Sequence, residues 1–116
     1  MDTALVTQVE ANNRDFLALA ESIAPTVAVQ PDLLGTWSAR EILMHIIAWQ
    51  EEALAVISAI RDGTYVSRHL DDAAIQAFND AAVAKRQDHP WDELKRELAH
   101  SQSALEQLAH NLPDEA

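Results

Sequence analysis

The stretch WSAREILMHIIAWQEEALAVISAI, residues 37–60, decides how the chain is read. Ser38 and Glu41 stand three apart at the head of an apolar-periodic run, the spacing of a capping box. In such a box the Ser hydroxyl accepts from the Glu backbone N–H, and the Glu side chain accepts from the Ser N–H. Trp37 and Ile42 occupy the two positions of a hydrophobic staple, which sets the angle of entry into the helix. Ile42, Ile46, Trp49, Ala53, Val56, Ile57 and Ile60 recur at helical spacing, predicting one buried stripe. His45 falls inside that stripe, a titratable ring on a face that should meet the core.

Working outward, the N-terminal side predicts a first helix capped by Asp2 or Thr3 and running to about Ala24. Its stripe would be Leu5, Val9, Asn12, Phe16, Leu19 and Ile23. Asn12 inside the stripe needs partners, as a register-setting or water-bonded amide or as part of a polar site, because an unpaired buried amide costs about 1–3 kcal/mol. Pro25 stops this helix. A long connection with Pro31 and Gly35 then leads back to Trp37, with Leu33 and Leu34 expected to pin it across the bundle end.

On the C-terminal side, Gly63 is placed to end the central helix as a left-handed residue. An irregular segment, GTYVSRHL, follows. Leu70, Asp71 and Ile75 repeat the staple-and-cap pattern, so a third helix starts at Asp71, with Ile75, Phe78 and Ala82 facing inward. His89-Pro90 breaks it, since proline suits a first helical turn and not an interior. The last helix spans about Pro90 to Asn111 on a seam of Trp91, Leu94, Leu98, Ser101, Leu105, Leu108 and Leu112, and Pro113 ends it.

The chain has 116 residues, enough for one core and one domain over residues 1–116. Nineteen acidic against eight basic residues give a formal charge of −11, which argues against nucleic acid and anionic membrane as partners. Without cysteine there is no disulfide framework, thiolate metal site or cysteine nucleophile. No unbroken apolar run approaches the roughly 20 residues of a membrane span, and the first residues lack the pattern of a signal peptide. These features predict a soluble, cytoplasmic protein. The acidic pairs Glu51-Glu52, Asp71-Asp72 and Asp92-Glu93 read as solvated faces and helix-start charges. His69 reads as solvated, His89 as a helix-capping residue, and His100 and His110 as exposed.

The order Trp37-Ser38-x-x-Glu41-Ile42-x-x-His45-Ile46-x-x-Trp49, then Phe78-Asn79, then a Leu-rich helix ending in Leu112-Pro113-Asp114-Glu115, resembles the DinB/YfiT-like superfamily over residues 1–115. Within it the likeness is to the ClbS/DfsB-type four-helix proteins. The resemblance implies an all-α, up-down helical bundle with a long crossing connection. It further implies a divalent metal, nickel or zinc, held by three histidines, of which His45 alone has a counterpart here. His100 and His110 stand ten apart, about 80° out of alignment on a helix. A mixed site of His45 with Glu41 or Glu52 is the alternative, although Glu41 is claimed by the cap.

ClbS-like proteins hydrolyse a cyclopropane-bearing genotoxin in self-protection, and other relatives are transferases or isomerases that use bacillithiol or mycothiol. That likeness implies a small-molecule pocket lined by Trp37, His45, Trp49 and Tyr65. In it His45 would be acid or base, with Glu52 orienting it. The alternative is a core histidine bonded to a backbone carbonyl or to Asn12, in a non-catalytic helical binding module. Proteins of this family carry a further long helix after the Leu-Pro-Asp-Glu turn. Its absence here predicts an apolar groove that is filled by more chain or by a second copy in a symmetric homodimer.

Overall fold

A computed structural model describes residues 3–31, 37–67 and 70–112. Five helices follow one another: α1 (Thr3–Ser22), α2 (Pro25–Ala28), α3 (Ala39–Asp62), α4 (Asp72–Arg86) and α5 (Trp91–Asn111). No strand accompanies them among the described residues, and the fold is an all-α helical bundle. The predicted roles of Asp2, Leu33, Leu34, His69 and residues 113–115 fall outside the described residues.

Local chemistry sets the helix ends. The Ser38 hydroxyl accepts from the Glu41 N–H at 3.1 Å, and Glu41 Oε1 accepts from the Ser38 N–H at 3.1 Å, closing the capping box. Asp71 caps α4 by accepting from the Ala74 N–H at 2.8 Å. Gly63 leaves α3 at φ 75°, the left-handed region that a side chain would strain. Pro90 stands at the N-cap of α5. The short α2, with Pro25 in its first turn, was not foreseen in the connection after α1.

Helix directions follow from the bonds between them. Along α1 and α5, Asn13 pairs with Glu106 and Glu21 with Lys95, so the two run antiparallel. Arg40 reaches His89 and Gln50 meets Ser101, so α3 and α5 run parallel. Arg40, at the start of α3, bonds the Gln87 carbonyl at the end of α4, and Trp49 further along α3 bonds Asn79 in the middle of α4, making α3 and α4 antiparallel. The four long helices therefore alternate up and down in chain order. In space they lie α1, α5, α3, α4, with α3 and α5 at the centre and α1 and α4 flanking them.

The core lies where α3 meets α5: Leu43, Met44 and Ile47 from α3, and Trp91, Leu94 and Leu98 from α5, are all at most 3% exposed. That differs from the predicted stripe. Ile42, Ile46, Trp49, Ala53, Val56 and Ile57 are half-buried, and Ile60 is exposed. A central helix that is apolar on several sides buries most deeply the face its largest neighbour covers, here the one towards α5. The stripe of α1 is likewise shifted. Val6 and Ala20 are buried and Phe16, Leu17 and Ile23 pack on the core, while Leu5, Val9, Leu19 and Asn12 are exposed. By length and composition α3 is apolar enough to cross a bilayer, which the sequence did not suggest. In the bundle that composition serves its contacts with α2, α4 and α5.

Candidate functional site

Residues 41, 45 and 49 are four apart and share the face of α3 turned to α4. The indole N–H of Trp49 donates to Asn79 Oδ1 at 2.9 Å, and its ring lies on Phe78 at 4.1 Å between centroids, tilted by 33°. Thus the Phe78-Asn79 pair of α4 holds the Trp49 of α3. One turn earlier, the Trp37 ring meets the His45 ring edge to face, with centroids 3.9 Å apart at 73°. Trp37 is itself 38% exposed and covers a histidine that is only 6% exposed.

His45 Nδ1 is buried and has no hydrogen-bond partner. Burial lowers the pKa of the ring from its ordinary 6.5. The Glu41 carboxylate, the Asn79 backbone and the Asp80 carboxylate oppose that shift without reversing it. The ring is therefore neutral near about pH 7.

Trp49, Glu52 and Tyr65 line a single concavity of about 260 Å3, completed by Ala53, Val56 and Leu70. Three of the six predicted site residues meet there. His45 and Trp37 lie one turn away, towards the start of α3, behind Trp49. Glu41 and Asp80 are the carboxylates that act on the His45 ring. Asn12 does not reach the others. It is exposed on α1, where its Oδ1 accepts from Gln8 at 3.1 Å. Its neighbour Asn13 faces the bundle instead, donating to Glu106 at 2.9 Å and accepting from Gln102 through its carbonyl.

A metal of the three-histidine kind does not fit here. His45 lies beneath Trp37, and Glu41 is engaged in the cap. Among the described residues, one set of three histidine or carboxylate groups comes within joint ligand distance, and it lies elsewhere: His89, Glu93 and Glu97.

That second cluster adjoins charged residues the sequence did not single out. Arg86 is 4% exposed, and donates through Nη2 to Glu51 at 2.6 Å and through Nε to Glu97 at 3.2 Å. Glu51 is therefore the partner of a buried cation and not merely part of a solvated face. His89, expected to cap α5, turns its Nδ1 to Glu97 Oε1 at 3.0 Å. Its carbonyl and that of Gln87 accept from Arg40 at 2.6 and 3.0 Å. His100 and His110 are exposed, as expected, and His110 pairs with Glu10 at 3.2 Å.

A family model described as the DinB superfamily matches residues 8–116, nearly the whole chain. The chain belongs to the DinB superfamily. The match spans the W-S-x-x-E-I-x-x-H-x-x-x-W run and the Phe78-Asn79 pair, which the structure joins across α3 and α4. Comparison with characterised proteins and with solved structures found no significant match.

Proposed function

We propose that this DinB-superfamily protein binds a small, largely apolar molecule in the concavity that α3 forms with Tyr65 and Leu70, with His45 as the group that acts on it. The observation carrying this reading is the meeting of Trp49, Glu52 and Tyr65 around one space of about 260 Å3, beside a neutral histidine with an unpartnered ring nitrogen. The two aromatic rings supply apolar area, and Glu52 supplies a polar contact that orients the ligand. Hydrolysis, the reaction of the ClbS/DfsB type, is the chemistry such a site would carry. His45 would take a proton from water once Trp37 swings off it. In this reading the protein works in the cytoplasm without nucleic acid or membrane as partner.

The closure of His45 beneath Trp37 favours a second reading, a helical binding module that keeps the scaffold without the chemistry. Titration with indole and naphthol fragments, followed by 1H–15N spectra, separates the two. Under the first reading the Trp49 indole resonance moves with saturation, and Tyr65→Ala weakens binding about tenfold, the share of one aromatic anchor. An unmoved Trp49 resonance leaves the module.

A further inference from the structure

We infer that His89, Glu93 and Glu97 form a divalent-cation site of the zinc class at the edge of the cleft between α3 and α5. Glu93 and Glu97 are four apart on one face of the first turns of α5, and His89 stands just before that helix, ahead of its Pro90 N-cap. Their ligand atoms lie within 4.8 Å of one another, and each residue is partly buried. A cation about 2.1 Å from every ligand sets neighbouring ligand atoms about 3.0 Å apart at right angles and about 3.4 Å apart in a tetrahedron. His89 Nδ1 and Glu97 Oε1, at 3.0 Å, already have that spacing. Glu93 Oε1 is 4.0 Å from the same nitrogen, and its side chain, 41% exposed, is free to close the remainder.

Two of the three ligands are held from behind. The Nε of Arg86 anchors Glu97, and Arg40 bonds the His89 carbonyl, fixing the backbone that carries the imidazole. One nitrogen and two carboxylate oxygens suit zinc better than magnesium or calcium, which prefer oxygen alone. Three protein ligands leave a position open.

The cleft beside them gives an independent sign of a ligand. It encloses about 500 Å3, and Glu93, Glu97, Arg86, Arg96, His100 and Ser101 are among its walls. The Arg86 side chain is 5% exposed, and its Nη1 is buried with no partner. A buried donor of this kind calls for an oxygen, as water or as part of a ligand. The site is separate from the Trp49 concavity and does not rest on the function proposed for it.

Zinc titration of the chelator-treated full chain, followed by calorimetry, tests the inference. The expected result is one saturable site that His89→Ala and Glu93→Gln each weaken by at least about tenfold, with His45→Ala binding as the unaltered chain does. Glu93 is the most exposed of the three, so its isosteric variant keeps the test decisive should His89→Ala fold poorly. Far-UV circular dichroism confirms the fold of each. No saturable binding, binding indifferent to Glu93→Gln, or binding lost in His45→Ala would each overturn the assignment.

Discussion

His45 is buried under Trp37 with one ring nitrogen unpartnered, so the folded protein resists protonating it. The unfolded chain does not, and its histidine titrates at the ordinary value of about 6.5. As pH falls through that value the unfolded state takes up the proton first, so more protons are bound unfolded than folded. Stability is therefore fully present above about pH 6.5 and is lost as pH falls towards the lower folded value. Thermal denaturation at about pH 7.5 and about pH 5.5 should show a lower midpoint in acid. His45→Phe keeps a ring under Trp37 and should flatten that dependence; an unchanged slope would mean that His45 does not titrate on folding. At the same scale, the Trp49–Asn79 bond explains why a Phe-Asn pair accompanies the tryptophan: Phe78 offers its ring and Asn79 an acceptor for the indole N–H.

Helix starts are the features that single residues decide. Ser38→Ala removes the hydroxyl that accepts from Glu41, and about 1 kcal/mol of stability should go with it. For a domain near this size the melting temperature should fall by about 4 °C, measurable by calorimetry. No fall would show that the box contributes nothing to α3. Because caps are local, Ser38, Asp71 and Pro90 placed the starts of three helices from sequence. The seam of α5 was legible too, since only one of its faces is apolar. The faces of α1 and α3 were not, because each has apolar residues on more than one side and the neighbouring helix chooses among them. Exposed Leu5, Val9 and Leu19 are the residues that local periodicity selected wrongly. The site divides the same way. Trp49, Glu52 and Tyr65 line one concavity, whereas Asn12 stands exposed on α1. Arg86 and Glu97 were not singled out, Glu93 read as helix-start charge and His89 as a cap, and only the packing of α3, α4 and α5 brings Arg86 to Glu51 and Glu97.

At the scale of the molecule, the side-by-side order of the helices leaves apolar residues uncovered at both flanks. Leu5, Val9 and Leu19 lie exposed on α1, and Ile60, Tyr65, Val66, Leu70 and Ile75 lie exposed around the α3–α4 connection. We propose that two copies pair through such a face. Sedimentation should show mass rising from 12.8 kDa towards twice that value with concentration. Added salt should strengthen the pairing by screening the repulsion between chains that each carry −11. A constant 12.8 kDa species would rule the pairing out.

The placement of α1 also bears on how the protein is made. Its main partner is α5, the last of the described helices, and the two are joined by bonds such as Asn13 to Glu106. A ribosome adding about 5–20 residues each second needs roughly 5–20 s to travel from one to the other. Through that interval Val6, Phe16, Leu17 and Ala20 have emerged without the surface they are built to meet, while α3 and α4 can already close on each other. Assembly thus begins in the middle of the chain, and its first helix is among the last to find its place.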